Sequence, residues 1–101
     1  MSRESVFRRL RSEMVDRQLL AEGVTDPRVL EAMERIPRHE FMPPEQHGLA
    51  YAPQAVDIGE RQTISQPLMV GSMTQALCLT STESVLEIGT GSGYQAAVLA
   101  W

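Results

Sequence analysis

The run "VLEIGTGSGYQAAVLAW", residues 85–101, constrains this chain more than any other stretch. An apolar, strand-like segment flows into glycines at 89, 91 and 93, and a helix-like segment starts directly after them. Glycine lets a backbone turn sharply and approach a ligand closely, while the start of the new helix offers unpaired N–H groups. Strand, glycine loop and helix in that order form the entrance to nucleotide-cofactor folds of the α/β class. The plainer reading is a strand-to-helix turn with no ligand.

The loop's chemistry narrows the ligand. A dinucleotide fingerprint needs glycine at position 94, where this chain has Tyr94. A P-loop needs a lysine, and the chain has none: all nine of its cationic residues are arginine. What remains is Glu87-x-Gly89-x-Gly91-x-Gly93, with Thr90 and Ser92 between the glycines, which resembles the first motif of S-adenosylmethionine-dependent methyltransferases. Adenosylmethionine carries an ammonium and a sulfonium, so a carboxylate at Glu87 is favourable, whereas a pyrophosphate would be repelled.

A chain of 101 residues supports one modest core, and 43% hydrophobic with 22% charged residues is ordinary for a soluble globular protein. The net charge of −4 argues against a general nucleic-acid or anionic-membrane footprint. Arginines 3, 8, 9, 11 and 17, interleaved with Glu4, Glu13 and Asp16, read as a solvated helix face. Cys78 stands alone, which excludes an intrachain disulfide and favours a reducing cytoplasm. No signal-peptide core or bilayer-length apolar run is present, so the expectation is a soluble cytoplasmic protein.

Helical spacing of Val6, Phe7, Leu10, Met14 and Leu19 predicts a helix over residues 2–23, capped by Ser2 and ended by a left-handed Gly23. "DPRVLEAMERI" predicts a second helix, with Asp26 as cap, Pro27 in the first turn, and Leu30, Met33 and either Ile36 or Val29 inward. Residues 37–65 lack a sustained period. There Pro43-Pro44 reads as extended, Phe41 and Tyr51 as anchors, and "QAVDI" as a short strand. "QPLMVGSMTQALCL" predicts a third helix with Met69 or Val70, Met73 and Leu77 inward, and "SVLEI" a buried strand. His39 and His47 lack metal-ligand spacing and read as surface or loop-packing residues.

"QTIS", residues 62–65, ends the irregular segment and leads into the third helix, placing the hydroxyls of Thr63 and Ser65 near free N–H groups. Spacing alone favours Ser65 as the helix N-cap; ligand contact by its hydroxyl is compatible with that role.

Taken together, "IGERQTISQPLMVGSM" and "VLEIGTGSGYQAAVLA" closely resemble the protein-L-isoaspartate O-methyltransferases, whose signature runs close to I-G-x-G-Q-T-I-S-x-P-x-M-V. "MVDRQL", "GVTDPRVLEAMERIPRHEFMP" and "AYAPQAVDIG" resemble that family's N-terminal helices and following loop, so the similarity spans nearly the whole chain. It implies a Rossmann-like α/β methyltransferase fold, with residues 1–60 a helical leader and connecting loop and 61–101 the start of the methyltransferase domain. It implies S-adenosyl-L-methionine as cofactor and methylation of the α-carboxylate of L-isoaspartyl residues in damaged proteins, the first step of repair through a succinimide. By the same resemblance, Gln62, Thr63, Ile64 and Ser65 line the cofactor and substrate site, with Ser65 at the active-site position. Glu87, Gly89, Thr90, Gly91, Ser92 and Gly93 match the cofactor loop. Three positions depart from the family pattern: Arg61 replaces a common glycine, Leu68 a His or Tyr, and Asp57 a common proline.

Two other functions fit the residues: a methyltransferase with a different acceptor, or a non-catalytic interaction module that keeps the glycine loop as a relic. On the leading reading the chain is the N-terminal portion of a larger enzyme, because the acidic residue that binds ribose lies about 20 residues beyond such a loop. A parallel strand at 84–88 would also need further strands beside it. The 101 residues alone are therefore expected to bind adenosylmethionine weakly or not at all. A calorimetric titration giving a micromolar dissociation constant is the contrary outcome.

Overall fold

The computed structural model describes residues 2–59, 62–77 and 93–101. The first helix, α1, runs Arg3–Met14. Ser2 caps it through its hydroxyl, which accepts the Ser5 N–H at 3.1 Å. The helical course then widens into a π turn at Val15–Leu19 and tightens into a 3₁₀ turn at Leu20–Glu22, stopping at Gly23 with φ 101°. The wide turn brings Val15 inward beside Met14 and Leu19, all three buried. The expected caps at both ends are therefore present, with a change of winding between them.

α2 spans Pro27–Arg35, and the Asp26 carboxylate accepts the Arg28 N–H at 3.0 Å. Its buried face is Val29, Ala32 and Met33, with Ile36 following in extended geometry; Leu30 is only partly covered. The expected pair "Ile36 or Val29" resolves to both. The loop between α1 and α2 is held from a distance by Gln75. Its Oε1 accepts the N–H groups of Thr25 and Asp26 at 2.7 and 2.8 Å, and its Nε2 donates to the Gly23 carbonyl at 3.1 Å.

The stretch without a sequence period contains two 3₁₀ turns, Arg38–Phe41 and Pro44–Leu49. Pro43 is extended as expected (ψ 147°), but Pro44 opens the second turn. Two short strands follow, β1 (Val56–Gly59) and β2 (Gln62–Ile64), paired antiparallel with Val56 opposite Ile64 and Asp57 opposite Thr63. The expected strand at "QAVDI" is thus present, whereas "QTI", read as the end of a loop, is a strand. The register slips after Asp57, so that Gly59 faces Gln62. Asp57 shapes that bulge: its carboxylate accepts the Gly59 N–H at 2.9 Å while Gly59 takes φ 96°, a conformation glycine tolerates.

α3 covers Pro67–Ala76 and α4 Tyr94–Ala100. Of the residues expected inward on α3, Val70 is buried and Met73 and Leu77 are not. Pro67, Val70, Gly71 and Thr74 are buried, while Met69, Met73 and Leu77 are about half exposed. Close approach selects this face. A Cβ on Gly71 would stand 3.1 Å from Leu19 Cδ2 and 3.3 Å from Met33 Sδ, so the bare glycine is what lets α3 settle against the leader. Thr74 enters the core with its hydroxyl satisfied, donating to the Val70 carbonyl and accepting from Gln95 of α4, both at 2.8 Å. The strand expected at 84–88, and Cys78, lie outside the described residues.

One hydrophobic cluster runs from Met14 and Leu19 through Met33, Ile64 and Val70 to Tyr94 and Val98. With Val70 buried in α3, Val70→Ala lowers the unfolding free energy by about 2 kcal/mol. Met73→Ala then changes it by less than about 0.5 kcal/mol. Paired urea melts measure both, and a cost for Met73→Ala equal to that for Val70→Ala would overturn this phase.

Candidate functional site

Gln62, Thr63 and Ser65 are exposed on and just after β2, while Ile64 between them is buried. Alternation along the strand turns Thr63 and Ser65 to the face opposite Ile64. What Ile64 can offer a ligand is therefore its main chain. Ser65 is not the N-cap of α3. Gln66 holds that position and makes no side-chain capping bond, so the exposed Ser65 hydroxyl is not committed to the helix.

The main chain of Ser65 is tied inward by a residue that sequence reasoning did not single out. Arg38 is fully buried, and its Nη2 donates to the Ser65 carbonyl at 2.8 Å. Its Nε donates to the Ala50 carbonyl, and the guanidinium lies over the ring of Tyr94, 4.9 Å from the centroid. Tyr94 is itself fully buried and meets the edge of Phe41 at 5.6 Å. It follows Gly93, the last glycine of the loop, whose φ of 86° lets the chain swing into α4. One guanidinium thus joins the "QTIS" segment to the end of the glycine loop. Glu87, Gly89, Thr90, Gly91 and Ser92, like Arg61, lie outside the described residues.

Burial lowers the pKa of Arg38, opposed by Tyr94 and, less, by Tyr51. Burial likewise pushes the Tyr94 hydroxyl up to about 12, while Arg38 pulls the other way. Near neutral pH the site therefore holds a buried cation against a neutral ring, a favourable cation–π arrangement.

A second cluster steadies the leader behind this site. Tyr51 is buried, as expected of an anchor, and its hydroxyl accepts from Arg11 Nη1 at 3.1 Å and meets His39 Nδ1 at 3.0 Å. Since Arg11 only donates, the Tyr51 O–H is available to donate to an unprotonated Nδ1. His39 stacks on Phe7 with centroids 4.0 Å apart, and His47 stands edge-on to it at 5.3 Å. Both histidines are loop-packing residues. Arg11 departs from the solvated face expected of it: besides Tyr51, it donates from Nε to the Glu34 carbonyl at 2.6 Å.

The chemistry of the exposed set is that of neutral donors and acceptors: an amide at Gln62 and hydroxyls at Thr63 and Ser65. Such a set suits a polar ligand, and it contains no strong base.

The protein-L-isoaspartate(D-aspartate) O-methyltransferase family model matches residues 9–101. A protein-L-isoaspartate O-methyltransferase of Picosynechococcus sp. is 56% identical over 91 residues, covering 90% of this chain and 41% of the relative. Proteins of the same name from Syntrophotalea carbinolica and Methanoculleus marisnigri are each 56% identical, over 94% and 92% of this chain and 42% of their own length. The chain thus spans about two fifths of the length of these curated relatives.

Burial lowers the pKa of His39, the nearby Glu4 carboxylate opposing it. A histidine depressed in the native state leaves the unfolded chain binding more protons below its ordinary value of about 6.5. Stability is therefore full above that pH and declines as pH falls toward the native value. His39→Gln should flatten this segment of the stability profile, measured by urea melts between about pH 7 and pH 5. An unchanged slope would assign the acid sensitivity elsewhere.

Proposed function

The chain belongs to the protein-L-isoaspartate(D-aspartate) O-methyltransferase family, and on that premise we propose that the protein methylates the α-carboxylate of L-isoaspartyl residues in damaged proteins. The methyl donor is S-adenosyl-L-methionine. The observation that carries this reading is the pairing of an exposed Ser65 hydroxyl with a Ser65 carbonyl anchored to Arg38, which also stacks on the residue after Gly93. Residues 1–60 act as the leader, and 61–101 open a Rossmann-like methyltransferase domain. The substrates are cytoplasmic proteins and peptides containing L-isoaspartyl residues, without nucleic acid or membrane. Among the described residues, no helix is long and apolar enough to cross a membrane.

The mechanism asks little of acid–base chemistry, because the acceptor carboxylate is already ionised at neutral pH. Bound adenosylmethionine supplies an electrophilic methyl group. The chain's own task is to hold the carboxylate in line and dry. Thr63 and Ser65 donate hydroxyl hydrogen bonds that orient the acceptor, with Gln62 and the Ile64 main chain beside them. Glu87, Gly89, Thr90, Gly91, Ser92 and Gly93 would hold the cofactor, the Glu87 carboxylate attracting its ammonium. Ser65 orients the acceptor rather than attacking it, so its loss slows the reaction without abolishing it.

A different acceptor is the second reading, favoured by Leu68. Where relatives carry His or Tyr, this residue packs partly buried against the core and offers no polar contact. The natural polypeptide carrying this sequence, assayed on an isoaspartyl peptide beside its aspartyl isomer, separates the two. Methylation of the isoaspartyl form alone is expected, with Ser65→Ala lowering kcat/KM about 10- to 100-fold. Equal labelling of both isomers, or of neither, sinks the isoaspartyl assignment.

A further inference from the structure

We propose that Arg38 is a positioning residue for methyl transfer, setting the separation between the Ser65 segment and the helix that follows the glycine loop. This rests on the reading of residues 62–65 and 93 as parts of one site. Arg38 is fully buried among groups that present main-chain carbonyls and an aromatic face. Among the described residues it has no carboxylate partner within ion-pair distance, so its charge is stabilised by the Ala50 and Ser65 carbonyls and the Tyr94 ring. A buried cation is costly to desolvate, and a leucine would fill such a volume at lower cost. What arginine adds is geometry. Its planar fork sends N–H groups in fixed directions, and its flat face stacks at the same time.

Each arm reaches a different part of the chain. Nε holds Ala50, after the second 3₁₀ turn, and Nη2 holds the Ser65 carbonyl just before α3. Its Cζ lies over the ring of Tyr94, 4.9 Å from the centroid, at the first position of α4. Fixing this carbonyl fixes the peptide plane that joins Ser65 to Gln66, and with it the place of the Ser65 Cα from which the side chain departs. Stacking on Tyr94 fixes where α4 begins, one residue after Gly93. Among the described residues, Arg38 provides the only side-chain hydrogen bond to Ser65. Lysine at this position would keep the charge but could neither span both carbonyls in one plane nor stack as a sheet.

The test compares R38K with Met14→Ala, which removes buried packing from α1 and touches neither arm, in the natural polypeptide that carries this sequence. Both variants lower the melting temperature, so rates are expressed per folded molecule. R38K is expected to lower kcat about a hundredfold while KM for an isoaspartyl peptide moves less than about threefold. Met14→Ala should keep kcat within about twofold, as a purely structural loss would. An R38K enzyme whose kcat per folded molecule also stays within about twofold overturns the proposal. Should R38K not fold, R38Q is read the same way. If the unsubstituted protein does not methylate the peptide, the proposed function fails, and amide exchange then decides the positioning role. R38K must speed exchange in both 62–66 and 94–97, where Met14→Ala does not; unchanged protection in either segment overturns it.

Discussion

One buried guanidinium ties together segments of this protein that its apolar packing alone would leave unlinked. Arg38 gives its Nε and Nη2 to two main-chain carbonyls, Ala50 and Ser65, and its face to Tyr94. Three stretches distant in sequence, the 3₁₀ region, the end of β2 and the start of α4, meet there. Two of its donors find carbonyl acceptors and an aromatic ring faces it, with no carboxylate in ion-pair contact among the described residues. The arrangement also explains why the helical leader belongs to the site although it contributes none of the exposed polar groups there.

Around that centre the leader is braced by polar contacts that cross the sequence. Arg11, Tyr51 and His39 form a chain from α1 to the 3₁₀ region, closed by the stack of Phe7 on His39. Ser12 donates a further hydrogen bond to Glu34, and Gln18 to the Tyr51 carbonyl. Gln75 ties α3 back to the loop before α2, and Gln95 ties α4 to Thr74. These are directional bonds between elements whose apolar faces alone would allow sliding, so they set register where burial sets only proximity.

The contrast between α2 and α3 shows what patterning can and cannot convey. α2 has apolar residues confined to one face, and its buried set follows from the sequence together with the Asp26 cap. α3 has apolar residues nearly all round, so two phases satisfy its periodicity equally well. The choice fell to Gly71, whose missing side chain admits Leu19 and Met33, and to Thr74, whose hydroxyl found partners inside. The "QTI" strand was hidden for a related reason. A three-residue strand carries too little alternation to register, and its partner lies across a bulge made by Asp57 and Gly59.

The sequence by itself determined the helix starts at Ser2 and Asp26, the stop at Gly23, the anchoring role of Tyr51 and the order of motifs that marks the family. These are local matters: a cap, a left-handed glycine or a motif needs only its neighbours along the chain. Tertiary structure alone decided that Arg38 is buried, that Arg11 turns inward, that α3 shows Gly71 and Thr74 to the core, and that Ser65 keeps its hydroxyl exposed. The reason is that their partners are main-chain carbonyls and ring faces contributed by distant segments. Every residue has a carbonyl, so no side-chain pattern announces which one an arginine will find.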